Sequence, residues 1–400
     1  MIKVLRTFFL AAIAVIVFSS CNDSPTAVPQ KLIPESDKIE FKKFDSQELN
    51  VKQSSSNYEV LENLYGGSVR ILGQNSYAKS SILFHWNVYL PDTTLAYINS
   101  GEVTVDTALV RMVPKFHMNY SMPISFTVQK LKGDWSLNGF TRDSLNLITN
   151  DGDPNILTSP VDETDSTVSF LLQNSMVDDW LKLKADTNLT NTNFGVILKP
   201  TAASQGFIGF QSTFFATDTN EVYLTIYLQK GSTRFDTVVV YPDKNFSIVE
   251  SVGNVPPEIS DKIVLLGGYA LRGKLFMDVP NIPKDVSISK AILELTLDEA
   301  NTVNGDPSSD SLFVHMYADS ANTLLTGDSL VTTLLIKDGN KYTGNITWMV
   351  QKWINGTDNQ GVQLTMYDEL STVAKLVFYG STESNPALRP KLTIYYPKKL

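Results

Sequence analysis

An internal repeat constrains this chain more than any other feature. Met176-Val177-Asp178-Asp179-Trp180-Leu181 is answered by Met349-Val350-Gln351-Lys352-Trp353-Ile354, and Gly195-Val196-Ile197-Leu198 by Gly361-Val362-Gln363-Leu364. Phe210 stands 14 positions before Leu224-Thr225-Ile226-Tyr227, and Phe378 stands 14 before the identical tetrapeptide Leu392-Thr393-Ile394-Tyr395. Earlier in each half, Ala108-Leu109-Val110-Arg111-Met112 parallels Ala291-Ile292-Leu293-Glu294-Leu295. Ordered matches of this kind point to two copies of one structural plan. The junction falls near Gly231 to Thr233, which predicts one domain over residues 49–231 and a second over 234–400.

Each copy has the period of a β-strand. Runs such as Ile124 to Val128, Val222 to Tyr227 and Leu312 to Tyr317 alternate or are continuously β-prone, with turn residues such as Asn304-Gly305 and Asp338-Gly339 between them. Aromatic residues make up 10% of the chain, which suits pleated, half-buried surfaces. The expected fold is all-β, two tandem jelly-roll-like sandwiches. Only the Met-Val-x-x-Trp segments have helical spacing. One turn there lays Met176, Val177 and Trp180, or Met349, Val350 and Trp353, against a core, and turns Asp178 and Asp179, or Gln351 and Lys352, to water. Each sandwich should therefore carry one short helix capping an open end. Trp86 and Trp348 also lie in apolar patterns and read as core.

The first 20 residues read as a leader. Lys3 and Arg6 precede an apolar run from Thr7 to Phe18 that is too short to span a bilayer comfortably, and Ser19 and Ser20 precede Cys21. Phe18-Ser19-Ser20-Cys21 resembles a bacterial lipobox, which implies lipidation of Cys21 and a location at the outer membrane or cell surface. Residues 21–48, rich in Ser, Pro, Asp and Lys, read as a flexible tether. The single cysteine excludes a disulfide within the chain, and a net charge of −9 without a basic stripe argues against nucleic acid as a partner.

Several segments resemble the DNRLRE domain family of bacterial surface proteins. They are Tyr65-Gly66-Gly67-Ser68, Ser81-Ile82-Leu83-Phe84, Gly133-Asp134-Trp135, Trp353-Ile354-Asn355-Gly356 with Asn359-Gln360-Gly361, and the closing Arg389-Pro390-Lys391-Leu392 run. The resemblance covers about residues 55–230 and 245–397. It implies a jelly-roll domain related to carbohydrate-binding modules. The second half lacks the Tyr-Gly-Gly-Ser and Gly-Asp-Trp segments.

Little in the sequence carries reaction chemistry. His85, His117 and His315 have no second His or Cys at metal-ligand spacing and read as structural, and neither a nucleophile elbow nor a phosphate-cradling loop is present. Asp151, Asp153 and Asp162 share one loop region and are candidate Ca²⁺ ligands; otherwise no cofactor is expected. Trp135, beside turn residues, is the candidate platform for a sugar ring, with Asp134 next to it. The expected function is a non-catalytic surface lipoprotein that binds polysaccharide or mediates adhesion. The alternative is a structural or assembly lipoprotein with a protein partner. A polysaccharide-degrading enzyme is a third reading, which needs two carboxylates across a cleft.

Overall fold

The computed structural model describes residues 39–60, 67–121, 124–150, 152–186, 193–211, 222–252, 261–280, 282–284, 286–305, 308–328 and 332–399. The leader, Cys21 and the candidate ligand Asp151 lie outside the described residues. The described chain is all-β, built of antiparallel strands with a few short helices between them.

In the first sandwich, one sheet runs Pro114–Ser121, Gln205–Gln211, Val69–Gln74, Ala78–His85, Val196–Pro200, Phe126–Lys130. The facing sheet runs Thr233–Val240, Val222–Lys230, Val103–Met112, Thr167–Leu171, Asp162–Thr164. Phe84, Trp86, Phe170, Trp180 and Phe210 fill the space between them. The second half repeats this connectivity, with Lys375–Tyr379, Lys262–Leu266, Leu271–Met277, Val362–Met366 and Ser311–Asp319 forming its equivalent of the first sheet. A hairpin of Thr332–Asp338 and Lys341–Asn345 leads on to Lys290–Thr296 and Lys391–Lys399, joining both layers into one folded-over sheet. Equivalence is fixed by register: Val196 pairs with Phe84, and Val362 with Leu275.

The two Met-Val-x-x-Trp segments form the helices Asn174–Ala185 and Thr347–Ile354, with Trp180 at 2% and Trp353 at 9% exposure. The residues between Val and Trp are not simply solvated, however. Asp178 accepts a hydrogen bond from the Val105 N–H at 2.8 Å, and Gln351 accepts one from the Ile288 N–H at 2.7 Å. The first half also carries two helices that the repeat did not predict, Asp92–Asn99 and Arg142–Ile148. The expectation of one helix per sandwich holds only for the second half among the described residues.

The strands that precede each half do not join that half. Ile39–Asp45, expected to be tether, pairs with the last strand, from Ile39 opposite Lys399 to Asp45 opposite Thr393. Gln53–Glu59 pairs with Leu271–Met277. Conversely, Thr233–Val240 forms a hairpin with Val222–Lys230 across a turn at Gly231 (φ +62°), and Lys244–Ser251 pairs with Ala78–His85. The second domain is thus completed by residues 39–59, and the first by residues 233–251. This corrects the boundaries 49–231 and 234–400, and the tether 21–48 must end before Ile39.

The inner arm strand pairs with one strand of a splayed hairpin. Strands Val69–Gln74 and Ala78–His85 bond to each other only near their tip, at Gly73–Ser80 and Gln74–Lys79. Lys244–Ser251 pairs with the whole of Ala78–His85, and its side chains reach Val69–Gln74 where that strand has left the ladder. Ser247 Oγ accepts from the Ile71 N–H at 2.7 Å, and Arg70 Nε donates to Asn245 Oδ1 at 2.6 Å. In the second sandwich, Asn57 Oδ1 accepts from the Val264 N–H at 2.8 Å while its Nδ2 donates to the Lys262 carbonyl at 3.2 Å. Backbone groups that the splaying would orphan are satisfied in this way.

The domains meet along equivalent surfaces. Ile71, Tyr77, Met118 and Phe207 of the first pack on Val264, Leu266, Tyr269 and Val377 of the second. Tyr77 donates from its hydroxyl to the Val373 carbonyl at 3.0 Å, and burial pushes its pKa up to about 12.

Candidate functional site

Of the site residues singled out in the sequence, Trp135 is buried, Asp153 is half-buried, and Asp134 and Asp162 are exposed. Trp135 is 3% exposed, donates from Nε1 to the Phe194 carbonyl at 2.9 Å, and packs with Phe140 and Phe246. It is a core residue, and the expectation of a sugar platform there is corrected. Asp134 is exposed, but it accepts the Trp135 N–H at 2.9 Å and lies 3.3 Å from the Lys244 ammonium, so it shapes the turn. Asp153 pairs with Lys132 at 2.5 Å, while Asp162 sits in the edge strand Asp162–Thr164. Among the described residues, no group of three or more His, Cys, Asp or Glu stands together as metal ligands. Trp348, expected in the core, is 60% exposed.

Trp135 belongs to a cover. Between Phe126–Lys130 and Asp162–Thr164 the first domain inserts residues 131–161, including the helix Arg142–Ile148. Leu131, Trp135, Phe140, Leu145 and Ile148 lie over the outward face of the sheet, on Leu83, Ile197, Phe246 and Ile248. Gly133 permits the close approach, since a Cβ there would lie 2.8 Å from Ile148 Cγ2. The equivalent connection in the second domain, residues 320–331, is short and carries no helix among its described residues.

The corresponding face of the second domain lacks that helical cover among the described residues, and its chemistry is different. One straight rank crosses five strands: Thr332 opposite His315, His315 opposite Gln363, Gln363 opposite Lys274, and Lys274 opposite Ser56. By register, the first domain has Gln129, Ile197, Leu83 and Phe246 at the positions of His315, Gln363, Lys274 and Ser56. A covered rank that is apolar at three of these four positions is matched in the second domain by one that is polar at all four and has no helical cover among the described residues. Alternation predicts this placement, because the neighbouring residues Val314, Leu364 and Leu275 face the core.

Aromatic rings flank the rank. Phe313 stacks on Tyr367 with centroids 5.1 Å apart, and Tyr367 is 61% exposed. Tyr58 and Tyr317 stand near the Lys274 ammonium, at 4.9 and 5.8 Å from ring centroid to nitrogen. A hollow of about 230 Å³ opens here beside Ser54, Ser56, Lys274 and Tyr317.

The polar groups hold one another in place. Gln363 donates to the Tyr58 hydroxyl and accepts from Thr365 Oγ1 at 2.9 Å. Lys274 donates to the Ser320 carbonyl at 2.7 Å. Arg272 forms a two-pronged pair with Glu369 at 3.0 and 2.7 Å; burial would lower its pKa, but the carboxylate outweighs that and raises it. Burial first, and then the charge of Arg272, lower the pKa of His315, so its imidazole is neutral near pH 7. His315 Nδ1 lies 3.2 Å from Thr332 Oγ1. Burial raises the pKa of Tyr317, whose buried hydroxyl makes no well-formed hydrogen bond. The face combines one exposed ring, Tyr367, with half-buried Tyr58 and Phe313 and with polar groups of which His315, Lys274 and Ser56 reach solvent.

Sequence reasoning did not single out Tyr58, Lys274, Phe313, Gln363 or Tyr367, and it read His315 only as structural. The usable signal lay in the repeat itself, in the changes Ile197 to Gln363 and Leu83 to Lys274 at aligned outward positions.

No family model matches the chain, and no curated protein matches it. Two solved structures align with 87% of this chain and 91% of their own, each at 8% identity and a TM-score of 0.19. Their titles are "BspA_C_WT" and "Streptococcus agalactiae AgI/II polypeptide BspA C terminal domain (WT)". A likeness that slight carries no argument about this chain.

Proposed function

We propose that this protein is a non-catalytic, lipid-anchored protein of the bacterial outer membrane or cell surface. In this reading it binds polysaccharide on the open face of its second sandwich. The observation that carries the reading is the contrast between the two domains at one position of one fold. The first covers a mostly apolar rank with Trp135 and a helix, and the second has a polar, ring-flanked rank in which Gln363 is buried, His315 and Lys274 are half-buried and Ser56 is exposed. Sugars present apolar ring faces that stack on aromatic planes and hydroxyls that need fixed donors and acceptors, and this face offers both. The lipobox-like Phe18-Ser19-Ser20-Cys21 segment and the resemblance to DNRLRE domains agree with a surface-anchored carbohydrate-binding protein.

A glycan array on the mature protein, with and without calcium, tests the proposal. Retention of a defined set of glycans is expected, and its loss in Tyr367→Ala and Lys274→Ala with unchanged melting. Glycan retention unaffected by either substitution would remove the face from consideration. An array without any retained glycan would overturn the reading.

A further inference from the structure

The dipeptide Asn-Gly occurs three times in the chain, at Asn138-Gly139, Asn304-Gly305 and Asn355-Gly356. This pair can modify itself. Glycine has no side chain to shield its backbone nitrogen or to restrict the backbone around it, so that nitrogen can reach the side-chain carbonyl carbon of the asparagine before it. A bond forms from the glycine nitrogen to the asparagine Cγ. The Cγ–Nδ2 bond breaks, and the side-chain nitrogen leaves as ammonia together with the proton of the glycine nitrogen. Water then opens the cyclic imide at either of its two carbonyls. One opening gives aspartate, and the other gives iso-aspartate, in which the main chain runs through Cγ. Water is the only co-reactant, and nothing is oxidised or reduced.

The fold treats identical dipeptides differently. Asn355-Gly356 is closed, because it ends the helix Thr347–Ile354. The Gly356 N–H donates to the Trp353 carbonyl at 3.1 Å, and Asn355 Oδ1 accepts from Gln351 Nε2 at 2.9 Å. Both reacting groups are thus engaged, and attack would have to undo the helix end. Asn304-Gly305 adjoins residues 306–307, which lie outside the described residues.

Asn138-Gly139 is open. Both residues are exposed, in the bend between Trp135 and Phe140. Neither the Asn138 side chain nor the Gly139 N–H makes a hydrogen bond among the described residues. Gly139 has φ +76°, and a Cβ built on it would meet nothing within 4 Å. The bend is nevertheless anchored at both ends. Trp135 and Phe140 are buried with ring centroids 6.2 Å apart, and Phe140 meets Phe246 edge-on at 6.0 Å. The middle of the bend is therefore free to react while its flanks stay packed.

We propose that Asn138 is a self-modification site, converted in the folded protein to aspartate and iso-aspartate while Asn355 is spared. Either product places a new negative charge in the cover of the first sandwich. The iso form also adds one main-chain carbon between Trp135 and Phe140. The inference needs neither a ligand nor an anchor, so it stands apart from the polysaccharide reading.

Incubation of the folded mature protein at mildly alkaline pH, in water enriched in heavy oxygen, tests the proposal by peptide mass spectrometry. The peptide containing Asn138 should take up the label as aspartate and iso-aspartate at least about tenfold faster than the peptide containing Asn355, whose reaction needs a local opening of the helix end. In guanidinium, where that opening is no longer required, the two should convert at similar rates. Asn138→Ser should abolish labelling of residues 131–148 and leave the melting temperature unchanged. The proposal is overturned if Asn138 converts only in guanidinium, if Asn355 converts as fast in the folded protein, or if the segment is still labelled in Asn138→Ser.

Discussion

Ile197 and Gln363 occupy the same position in two copies of one sandwich, paired across the ladder with Leu83 and Lys274 respectively. Ile197 and Leu83 lie beneath Trp135 and the helix Arg142–Ile148, whereas Gln363 is buried among the polar partners Tyr58 and Thr365, and Lys274 lines a hollow. The exchange of two apolar outward residues for two polar ones accompanies the loss of the cover. An exposed apolar rank would be an aggregation-prone patch, and a covered polar one would need partners for every donor and acceptor.

Trp135→Ala should therefore act on stability and not on binding. Removing a buried indole from a packed cluster costs about 3–5 kcal/mol, so the first domain should melt earlier by differential scanning calorimetry. Glycan retention by the second domain should be unchanged. Lost retention with unaltered melting would restore Trp135 as a ligand residue.

Trp180→Ala and Trp353→Ala should each lower stability by about 3–5 kcal/mol, since both indoles fill the same point of two cores. The shared interface at Tyr77 and Val264 will pass part of each effect to the other domain. Hydrogen exchange should nevertheless show the larger loss of protection in the substituted half. Wild-type melting in either variant would remove that tryptophan from the core.

The exchanged arms make a prediction about fragments. Residues 67–252 contain the first domain together with Lys244–Ser251, the strand that pairs along Ala78–His85, and should fold to a cooperative β domain. Residues 49–231 omit that strand and should not. Residues 261–400 should gain structure by circular dichroism when a peptide spanning residues 39–60 is added. A cooperative melt from 261–400 alone would show the N-terminal arm to be dispensable.

His315 should give the second domain a pH dependence. Its folded pKa is depressed below the unfolded value of about 6.5, so the unfolded chain binds the proton more readily. This contribution is fully present above the unfolded value and is lost as pH falls through it towards the folded value. Denaturant midpoints should drop between pH 7 and pH 5, and His315→Gln should flatten that part of the profile. An identical slope in the variant would assign the dependence to other groups.

Cys21→Ala should abolish labelling with palmitate and partitioning into detergent, while the purified domains keep their fold. Continued labelling would show that the chain is anchored elsewhere or not through this residue.

Much of the architecture was legible in the sequence, because it rests on short-range order. Alternation marks a strand within a few residues, and the repeat at Leu224 and Leu392 declares two sandwiches with the same plan. The inward helices at Trp180 and Trp353 follow from side chains four residues apart. Strand partners are another matter. Ile39–Asp45 pairs with a strand at the far end of the chain, and nothing local in those seven residues names Lys391–Lys399 as the partner. Their pairing completes a sheet edge that exists only once the second domain has formed. The two tryptophans were misplaced for a related reason. Trp135 sits among turn residues but is buried by Phe140 and Phe246 arriving from elsewhere, and Trp348 lies in an apolar run but has no covering element among the described residues. Local pattern determined which residues alternate and which turn; burial, and with it the site, was decided by what the tertiary fold brought to cover each face.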